Sequence, residues 1–291
     1  MGSRRPVEAA PDGLCERQPM NVERRVAVVT GAAQGIGRRT AEVLAEHGFT
    51  VVLSDVRPAT GLRETIERAG GRAVEIVGDL TDARAVAGLI EQVRSNFGRV
   101  DVLVNNAGIS LIRPAGQTTV DDLRRVLEVN LVAPFVLAQG FGAMMVAQRI
   151  GSIVNVASIA GLFAVADRAA YNASKHALIG LTRTLAAEWG GFGVRCNAVC
   201  PGWVKTEMDA ADQTSGNYQD ADIINRVPMG RFASPDDIAQ TVAFLSDPGT
   251  SGFINGQTFV VDGGWTSDAR WESLRLQHRP PVEPDVATGT P

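Results

Sequence analysis

"VAVVTGAAQGIGRRTAEVLAEHG", residues 26–48, is a β-strand pattern that passes through a glycine-rich turn into a helix pattern. Residues 26–30 are an unbroken apolar, mostly β-branched run, which is typical of a buried strand. Residues 38–47 place apolar side chains at helical spacing, and Gly48 closes that pattern. The stretch therefore predicts a strand, a tight turn and a helix, the first half of a parallel α/β unit.

The same alternation continues along the chain. Strand-like runs follow at 50–55, 73–79, 100–108, 151–158, 194–202 and 256–264, and helical patterns separate them. Strands that are apolar on both faces and alternate with helices indicate a parallel sheet covered on both sides. The predicted fold class is α/β: a single-domain, Rossmann-type, doubly wound parallel sheet of about seven strands with helices on both faces.

Composition divides the chain into three parts. We expect a disordered N-terminal arm over 1–23, a catalytic domain over 24–267 and a C-terminal tail over 268–291, whose end is rich in proline. Within the domain, residues 206–231 are polar, acidic and weakly patterned. A segment of that kind between patterned regions predicts a mobile substrate lid over a pocket.

Charge and ligand-type residues exclude several classes of function. The net charge is −4 and the arginines are scattered, so we expect no nucleic-acid partner. The three cysteines and three histidines form no cluster at metal-ligand spacing, which predicts no metal site and reduced thiols.

The sequence shows no clear signal peptide or membrane span. The N-terminal arm lacks an apolar signal core, and the apolar run at 130–148 is interrupted by Asn130, Pro134, Gln139 and two glycines. We expect a buried helix there, no membrane partner and a cytoplasmic protein.

The glycine turn predicts a phosphate site. Gly31 permits a tight turn, Gly35 lacks the Cβ that would block a pyrophosphate, and Gly37 lets the helix approach the sheet. The cofactor site that we predict includes Gln34 and Ile36 of the same turn. The spacing is G-x3-G-x-G rather than the G-x-G-x-x-G of the general fingerprint.

Asp55 ends the second strand, where an acidic side chain accepts hydrogen bonds from the adenosine ribose. A 2′-phosphate would be repelled by this carboxylate, so the sequence predicts NAD as the cofactor rather than NADP. Arg38 and Arg57 lie nearby in the chain and are the residues that would favour NADP instead.

Tyr171 and Lys175 are four residues apart in a helical segment, so their side chains project from one face. Twenty-six of the 28 basic residues are arginine, and Lys175 is one of two lysines. An adjacent ammonium favours phenolate, so the pair predicts a tyrosine with a lowered pKa that transfers protons.

These motifs, with "NNAG" at 105–108 and "PG" at 201–202, occur in an order that resembles the short-chain dehydrogenase/reductase family over about residues 24–265. The resemblance implies four catalytic residues. Tyr171 exchanges the proton with the substrate oxygen, Ser158 positions that oxygen, Lys175 binds the nicotinamide ribose, and Asn130 supports a water in a proton relay. The resemblance also implies a homotetramer, with the helix at 119–147 and the closing strand at its interfaces.

The resemblance implies further cofactor contacts at the ends of later strands. They lie near the adenine, the adenosine ribose and the carboxamide, and Tyr171 and Lys175 are shared with catalysis. These residues are Asp79, Leu80, Asn105, Ala107, Gly108, Pro201, Gly202, Val204 and Thr206.

The substrate stays open at this point. The segments that contact substrate in the family offer Leu162, Phe163, Trp203 and Met208, and the lid is acidic. We expect a neutral, partly apolar secondary alcohol or ketone that reacts with NAD by hydride transfer, with Tyr171 as general acid/base. The alternatives are an NADPH-dependent 3-oxoacyl-[acyl-carrier-protein] reductase and, in another class, a non-catalytic dinucleotide sensor.

Overall fold

The structure is a computed structural model, and it describes residues 24–214 and 218–269. The predicted N-terminal arm and the C-terminal tail beyond residue 269 lie outside the described residues. The seven strands are β1 Val26–Thr30, β2 Thr50–Asp55, β3 Arg72–Val77, β4 Val102–Asn105, β5 Gly151–Val156, β6 Val194–Pro201 and β7 Thr258–Val261. The α-helices are α1 Gly35–Glu46, α2 Leu62–Arg68, α3 Ala83–Phe97, α4 Val120–Leu127, α5 Ala133–Gln148, α6 Ala169–Trp189, α7 Glu207–Gln213, α8 Asp220–Arg226, α9 Pro235–Ser246 and α10 Pro248–Ser251.

The strands form one parallel sheet in the order β3-β2-β1-β4-β5-β6-β7. Each neighbouring pair is parallel, for example Val28 beside Val52 on one side and Leu103 on the other. Successive strands add outward on one side of β1 and then on the other, which is the doubly wound arrangement. The predicted fold class is confirmed.

Two apolar layers hold the helices against the sheet. One face packs on α1, α2 and α9 through residues such as Leu44, Leu62 and Ile238. The other face packs on α3, α5 and α6 through residues such as Leu89 and Phe141. Every residue of β1, β5 and β6 is buried, so these strands are covered on both faces and show no alternation of buried and exposed side chains.

The strands end earlier than their apolar runs. We expected β3, β4 and β5 to reach residues 79, 108 and 158, but they end at Val77, Asn105 and Val156. The residues beyond these ends leave the sheet as turns at its carboxyl edge. Ligands of doubly wound sheets bind at this edge, so these turns are available to line a ligand site.

The long apolar helix is not continuous α-helix. Between α4 and α5, residues Glu128–Val132 form a π-helical turn that contains the buried Asn130. Such turns are rare and are often found at functional sites. By length and composition Val120–Gln148 would span a membrane, but 44% of its most apolar window is buried within this protein.

The lid differs from the prediction of an unpatterned loop. Its described residues form two short helices, α7 and α8. The side chain of Thr206 caps the first turn of α7, and Gln219 with Asp222 forms a capping box at the start of α8. Each helix has only seven residues, too few to produce a clear hydrophobic period in the sequence.

Candidate active site

A cavity of about 750 Å³ opens at the carboxyl edge of the sheet. Its wall brings together the glycine turn, the ends of β2 to β6, the start of α6 and the first lid helix. The predicted residues in this wall are Gly31, Gln34, Gly35, Ile36, Asp55, Asp79, Leu80, Ala107, Gly108, Ser158, Tyr171, Lys175, Pro201, Gly202, Val204 and Thr206. Three predicted residues, Gly37, Asn105 and Asn130, lie behind it.

The glycine turn is built as the sequence predicts. Gly31 and Gly35 have φ values of +66° and +53°, which favour glycine. A Cβ at Gly37 would lie 2.0 Å from the carbonyl oxygen of Gly31, so only glycine allows α1 to begin so close to the turn. The first N–H groups of α1 consequently face the cavity and suit an anion.

Asn106 and Thr30 hold the glycine turn in place, and neither was among the predicted site residues. The Asn106 amide nitrogen donates to the carbonyl oxygens of Thr30 and Gly31, at 2.9 and 3.2 Å. The Thr30 hydroxyl accepts from the backbone N–H groups of Asn106 and Ala107, each at 3.0 Å. These bonds join the end of β1 to the turn after β4.

Asn105 does not line the cavity. Its side chain is buried under the sheet end, where its amide nitrogen donates to Asn155 at 2.8 Å. Because side chains alternate along a strand, the last residue of β4 points into the fold and its successor turns toward the cavity. A direct contact from the Asn105 side chain to a ribose is therefore not what this structure shows; Asn106 occupies the wall.

Asp55 is held by two backbone N–H groups. One carboxylate oxygen accepts from Ala33 of the glycine turn and the other from Arg57, both at 3.0 Å. Arg57 also lines the cavity, and its guanidinium donates to the Gln34 side chain at 2.6 Å. Arg38 pairs with Glu42 of its own helix. The carboxylate is thus fixed in the wall, and both nearby arginines are engaged with other groups.

Three of the four predicted catalytic residues face the cavity together. Tyr171 and Lys175 lie on successive turns of α6, and the Lys175 Nζ is 5.6 Å from the centre of the Tyr171 ring. Lys175 is buried and donates to the carbonyl oxygen of Val156 at 2.8 Å. Ser158 lies just beyond β5, and its hydroxyl is hydrogen-bonded with the Tyr171 phenol.

Burial shifts the two titrating groups in opposite directions. It raises the pKa of the Tyr171 phenol, while the hydrogen bond with Ser158 and the Arg168 charge oppose that rise. It lowers the pKa of the Lys175 ammonium to about 8. The predicted lowering of the tyrosine pKa is therefore wrong for this structure, because removal of the phenol from water favours its neutral form more strongly.

Asn130 lies behind the cavity wall, and its side chain bonds to residues next to Gly108 and Lys175. Its side-chain oxygen accepts from the N–H of Ile109 at 2.9 Å, and its amide donates to the Ser174 hydroxyl at 3.1 Å. A Cβ on Gly108 would lie 3.2 Å from the Asn130 oxygen and 3.6 Å from the Lys175 Nζ. The glycine thus leaves a small polar space that both side chains border.

The substrate end of the cavity contains residues that the sequence did not single out. Trp203 and Met208 line it as expected, together with Arg168, Asp209, Asp212 and Tyr218. Leu162 and Phe163 are absent from the described wall. Leu162 packs against a core cluster. Phe163 packs edge-on against Trp265, with 6.2 Å between the two ring centroids. These two predicted substrate contacts are not found there.

The chain fits a dinucleotide. A Cβ at Gly31 would lie 2.8 Å from the Asn106 amide nitrogen, so only glycine lets the turn pack this tightly, and the start of α1 supplies N–H groups to a pyrophosphate. Asp55, at the end of β2, suits a ribose, and the cavity continues from there to Tyr171. The residues therefore fit a nicotinamide dinucleotide along the carboxyl edge of the sheet.

The histidine, cysteine and acidic side chains are the groups that could form a metal site. Within residues 24–214 and 218–269, no group of three or more of these side chains has a metal-binding arrangement. Cys196 and Cys200 are free thiols in β6, and burial raises their pKa values to about 12 and about 11.

The fold and the cavity point to an NAD(P)-dependent oxidoreductase. A family model described as enoyl-(acyl carrier protein) reductase matches residues 31–266. The chain belongs to the short-chain dehydrogenase/reductase family. In this chain Tyr171, Lys175 and the glycine turn line one cavity.

Individual relatives agree with this assignment. A short-chain type dehydrogenase/reductase of Sinorhizobium fredii is 41% identical over 84% of this chain, which spans 44% of that longer protein. A 3-oxoacyl-[acyl-carrier-protein] reductase of Thermotoga maritima is 36% identical over 84% of this chain and 99% of its own length. A structure from Beutenbergia cavernae, described as an NAD(P) dependent gluconate 5-dehydrogenase with bound NADP, is 40% identical, with a TM-score of 0.80 over 86% of this chain and all of that one.

The lowered pKa of Lys175 predicts how stability depends on pH. Its pKa is about 8 in the folded chain and 10.5 ordinarily, so between these values the unfolded chain binds more protons and stability rises with pH. The free energy of unfolding of the wild type minus that of Lys175→Met should rise by about 1 kcal/mol per pH unit between pH 8 and 10. Urea unfolding at several pH values measures this difference.

The other lysine is the matched control. Lys205 is exposed, and its pKa is raised by the side chain of Asp220. The free energy of unfolding of the wild type minus that of Lys205→Met should stay constant between pH 8 and 10, because Lys205 remains protonated there in both the folded and the unfolded chain. A flat difference for Lys175→Met as well would contradict the lowered pKa.

Proposed function

We propose that this enzyme oxidises a secondary alcohol to a ketone, or reduces the ketone, with NAD as its cofactor. One observation carries the proposal: Tyr171, Ser158 and Lys175 line the same cavity as the glycine turn and Asp55. A proton-transferring phenol and a dinucleotide site in one cavity are what a reversible hydride transfer to a carbonyl needs. The bound nicotinamide supplies the hydride chemistry.

The chain's own residues divide the remaining work. Tyr171 holds the proton that the substrate oxygen gains or loses, and Ser158 donates a hydrogen bond that orients this oxygen. Lys175 keeps N–H groups available for a ribose hydroxyl beside its bond to Val156. Asn130 and Gly108 border the space for a relay water between the lysine and solvent.

Replacement of the phenol tests this assignment. Tyr171→Phe should lower kcat by about 10²- to 10⁴-fold, the usual contribution of a general acid/base, because the variant lacks the phenol that transfers the proton. NADH formation with a panel of sugars, polyols, hydroxysteroids and cyclic alcohols measures the loss. NADH affinity, followed by fluorescence, should stay within about twofold of wild type. A variant that keeps wild-type turnover would refute the role of Tyr171.

The choice of NAD rests on the carboxylate of Asp55. It lies in the wall with its two oxygens fixed by backbone N–H groups, where a ribose hydroxyl donates well and a 2′-phosphate is repelled. The Beutenbergia cavernae structure carries NADP, so the relatives leave both cofactors open. Engagement of Arg57 with Gln34 favours NAD, because it directs that guanidinium toward the turn.

Cofactor titration with and without the carboxylate measures this preference. The wild type should bind NAD at least about tenfold more tightly than NADP, and Asp55→Ser should reduce that ratio by about tenfold, since the repulsion is removed. Binding of reduced nicotinamide mononucleotide, which lacks the adenosine ribose, should not change and serves as control. Equal affinity of the wild type for NAD and NADP would overturn the proposal.

Reduction of 3-oxoacyl chains is the second candidate, because the Thermotoga maritima relative bears that name. Such a reductase would use NADPH and a basic docking patch. The segment Gly190–Phe192 is uncharged, and the fixed Asp55 disfavours NADPH. Turnover of an acetoacetyl thioester with NADPH, faster than that of any free alcohol with NAD, would select this alternative.

We also propose a cytoplasmic homotetramer without a membrane partner. The long helix leaves apolar side chains uncovered at Val132, Phe135 and Val136, and β7 leaves Val260 uncovered. A second copy of this chain would bury both faces, which is usual for closed symmetric assemblies.

Light scattering tests the assembly. Purified wild-type protein should have four times the 30.8 kDa mass of one chain. Phe135→Glu should give smaller species, since a charge in an apolar contact costs more than it gains. Val77→Glu is the matched control, because Val77 is similarly exposed on the edge strand β3. A monomeric wild type would disprove the tetramer.

A further inference from the structure

A buried ion pair lies in the wall of the cavity beside Tyr171. The Arg168 guanidinium, only 8% exposed, donates to the Asp212 carboxylate at 2.9 Å. The same nitrogen donates to the Ser110 hydroxyl at 2.6 Å, and this hydroxyl in turn donates to Asp212 at 3.2 Å. The three side chains come from separate parts of the chain: the turn after β4, the residue before α6 and the lid helix α7.

The pair is within reach of the reacting atoms. Arg168 lies one helical turn before Tyr171, a spacing that places two side chains about 5–6 Å apart at their Cβ atoms. Both charges act on the phenol, since Arg168 lowers and Asp212 raises the pKa of Tyr171. Arg168 and Asp212 also line the cavity, so a substrate whose oxygen meets Tyr171 lies in the same cavity as this pair.

Stability alone does not account for the pair. A buried ion pair loses so much hydration that apolar residues of similar volume usually serve the fold equally well. Arg168 donates through one terminal nitrogen, and among the described residues its other two nitrogens have no hydrogen-bond acceptor. The wall thus presents N–H donors beside a carboxylate.

The charges in this wall favour a neutral ligand. The positive charge of Arg168 is balanced by Asp212, and a second carboxylate in the same wall, Asp209, accepts from Tyr218 at 2.9 Å and is balanced by Lys205 at 3.2 Å. A substrate carboxylate would approach Asp212 and Asp209. A hydroxyl differs from a carboxylate because it both donates and accepts, and therefore satisfies the arginine and the aspartate together.

We propose that the substrate is a polyol or sugar, and that a second hydroxyl accepts from Arg168 and donates to Asp212 while the reacting hydroxyl meets Tyr171. This inference rests on the proposed function and names its substrate class. It replaces the expected partly apolar alcohol by one with at least two hydroxyls. The reaction itself is unchanged: the carbinol carbon gives a hydride to NAD and its hydroxyl gives a proton to the Tyr171 phenolate, and in the reverse direction the neutral phenol returns that proton.

Matched substrates test the inference with the wild-type enzyme. The set is cyclohexanol, the three cyclohexanediols, 4-hydroxycyclohexanecarboxylate and open-chain tetritols and hexitols, each with NAD. A hydrogen bond to a charged pair predicts a kcat/KM for the best diol or polyol about 10- to 100-fold above that for cyclohexanol. It should also exceed that for the hydroxy acid by at least about tenfold.

The outcomes separate this inference from the proposed function. Cyclohexanol oxidised as well as every diol and polyol, or the hydroxy acid oxidised best, would overturn the polyol assignment and leave an NAD-dependent alcohol dehydrogenase. Failure of all of these alcohols, together with turnover of an acetoacetyl thioester by NADPH, would overturn both.

Asp212→Asn provides an independent check with an expected reversal. The variant leaves the Arg168 charge unbalanced in the cavity, so kcat/KM for the hydroxy acid should rise about tenfold or more relative to the diol. Asp220→Asn removes an equal charge from the lid outside the cavity wall, and its substrate ratio should match wild type. An Asp212→Asn ratio equal to wild type would overturn the inference, and a variant that does not fold leaves the wild-type panel decisive.

Discussion

The position of β1 between β2 and β4 is the constraint on which the site depends. The strand order changes direction there, because β2 and β3 lie on one side of β1 and β4 to β7 lie on the other. The turns after β1 and β4 therefore diverge and leave a crevice at the carboxyl edge. Hydrogen bonds from Asn106 and to Thr30 close the base of that crevice. The glycine turn, Asp55 and Tyr171 reach one cavity because this edge collects the ends of all the central strands.

Burial at this edge sets the chemistry of the site. The same removal from water keeps Tyr171 protonated and brings Lys175 to a pKa of about 8. A neutral phenol is a ready proton donor, and a lysine near its titration point can release a proton toward the space beside Asn130. A guanidinium at position 175 would stay charged and supply no such proton, which explains a lysine in a chain whose other cations are almost all arginine.

The ion pair of Arg168 and Asp212 connects substrate choice to the lid. Asp212 belongs to α7, and Arg168 precedes the catalytic helix, so their contact joins the lid to the floor of the cavity. Tyr218 adds a second contact, because its ring packs on Trp203 with 5.0 Å between centroids. Under the proposed polyol assignment, the lid helices contribute side chains to the substrate site as well as covering it.

The sequence by itself determined the strand–turn–helix unit, the seven-strand parallel sheet and the identities of Tyr171, Lys175, Asp55 and the glycines, because periodicity and short spacings are local properties of a chain. Tertiary structure alone decided three further points. It placed Asn106 rather than Asn105 in the wall, raised the pKa of Tyr171, and joined Arg168 to Asp212 across 44 residues. Burial and contacts between distant segments depend on how the elements pack, and no spacing along the chain records that packing.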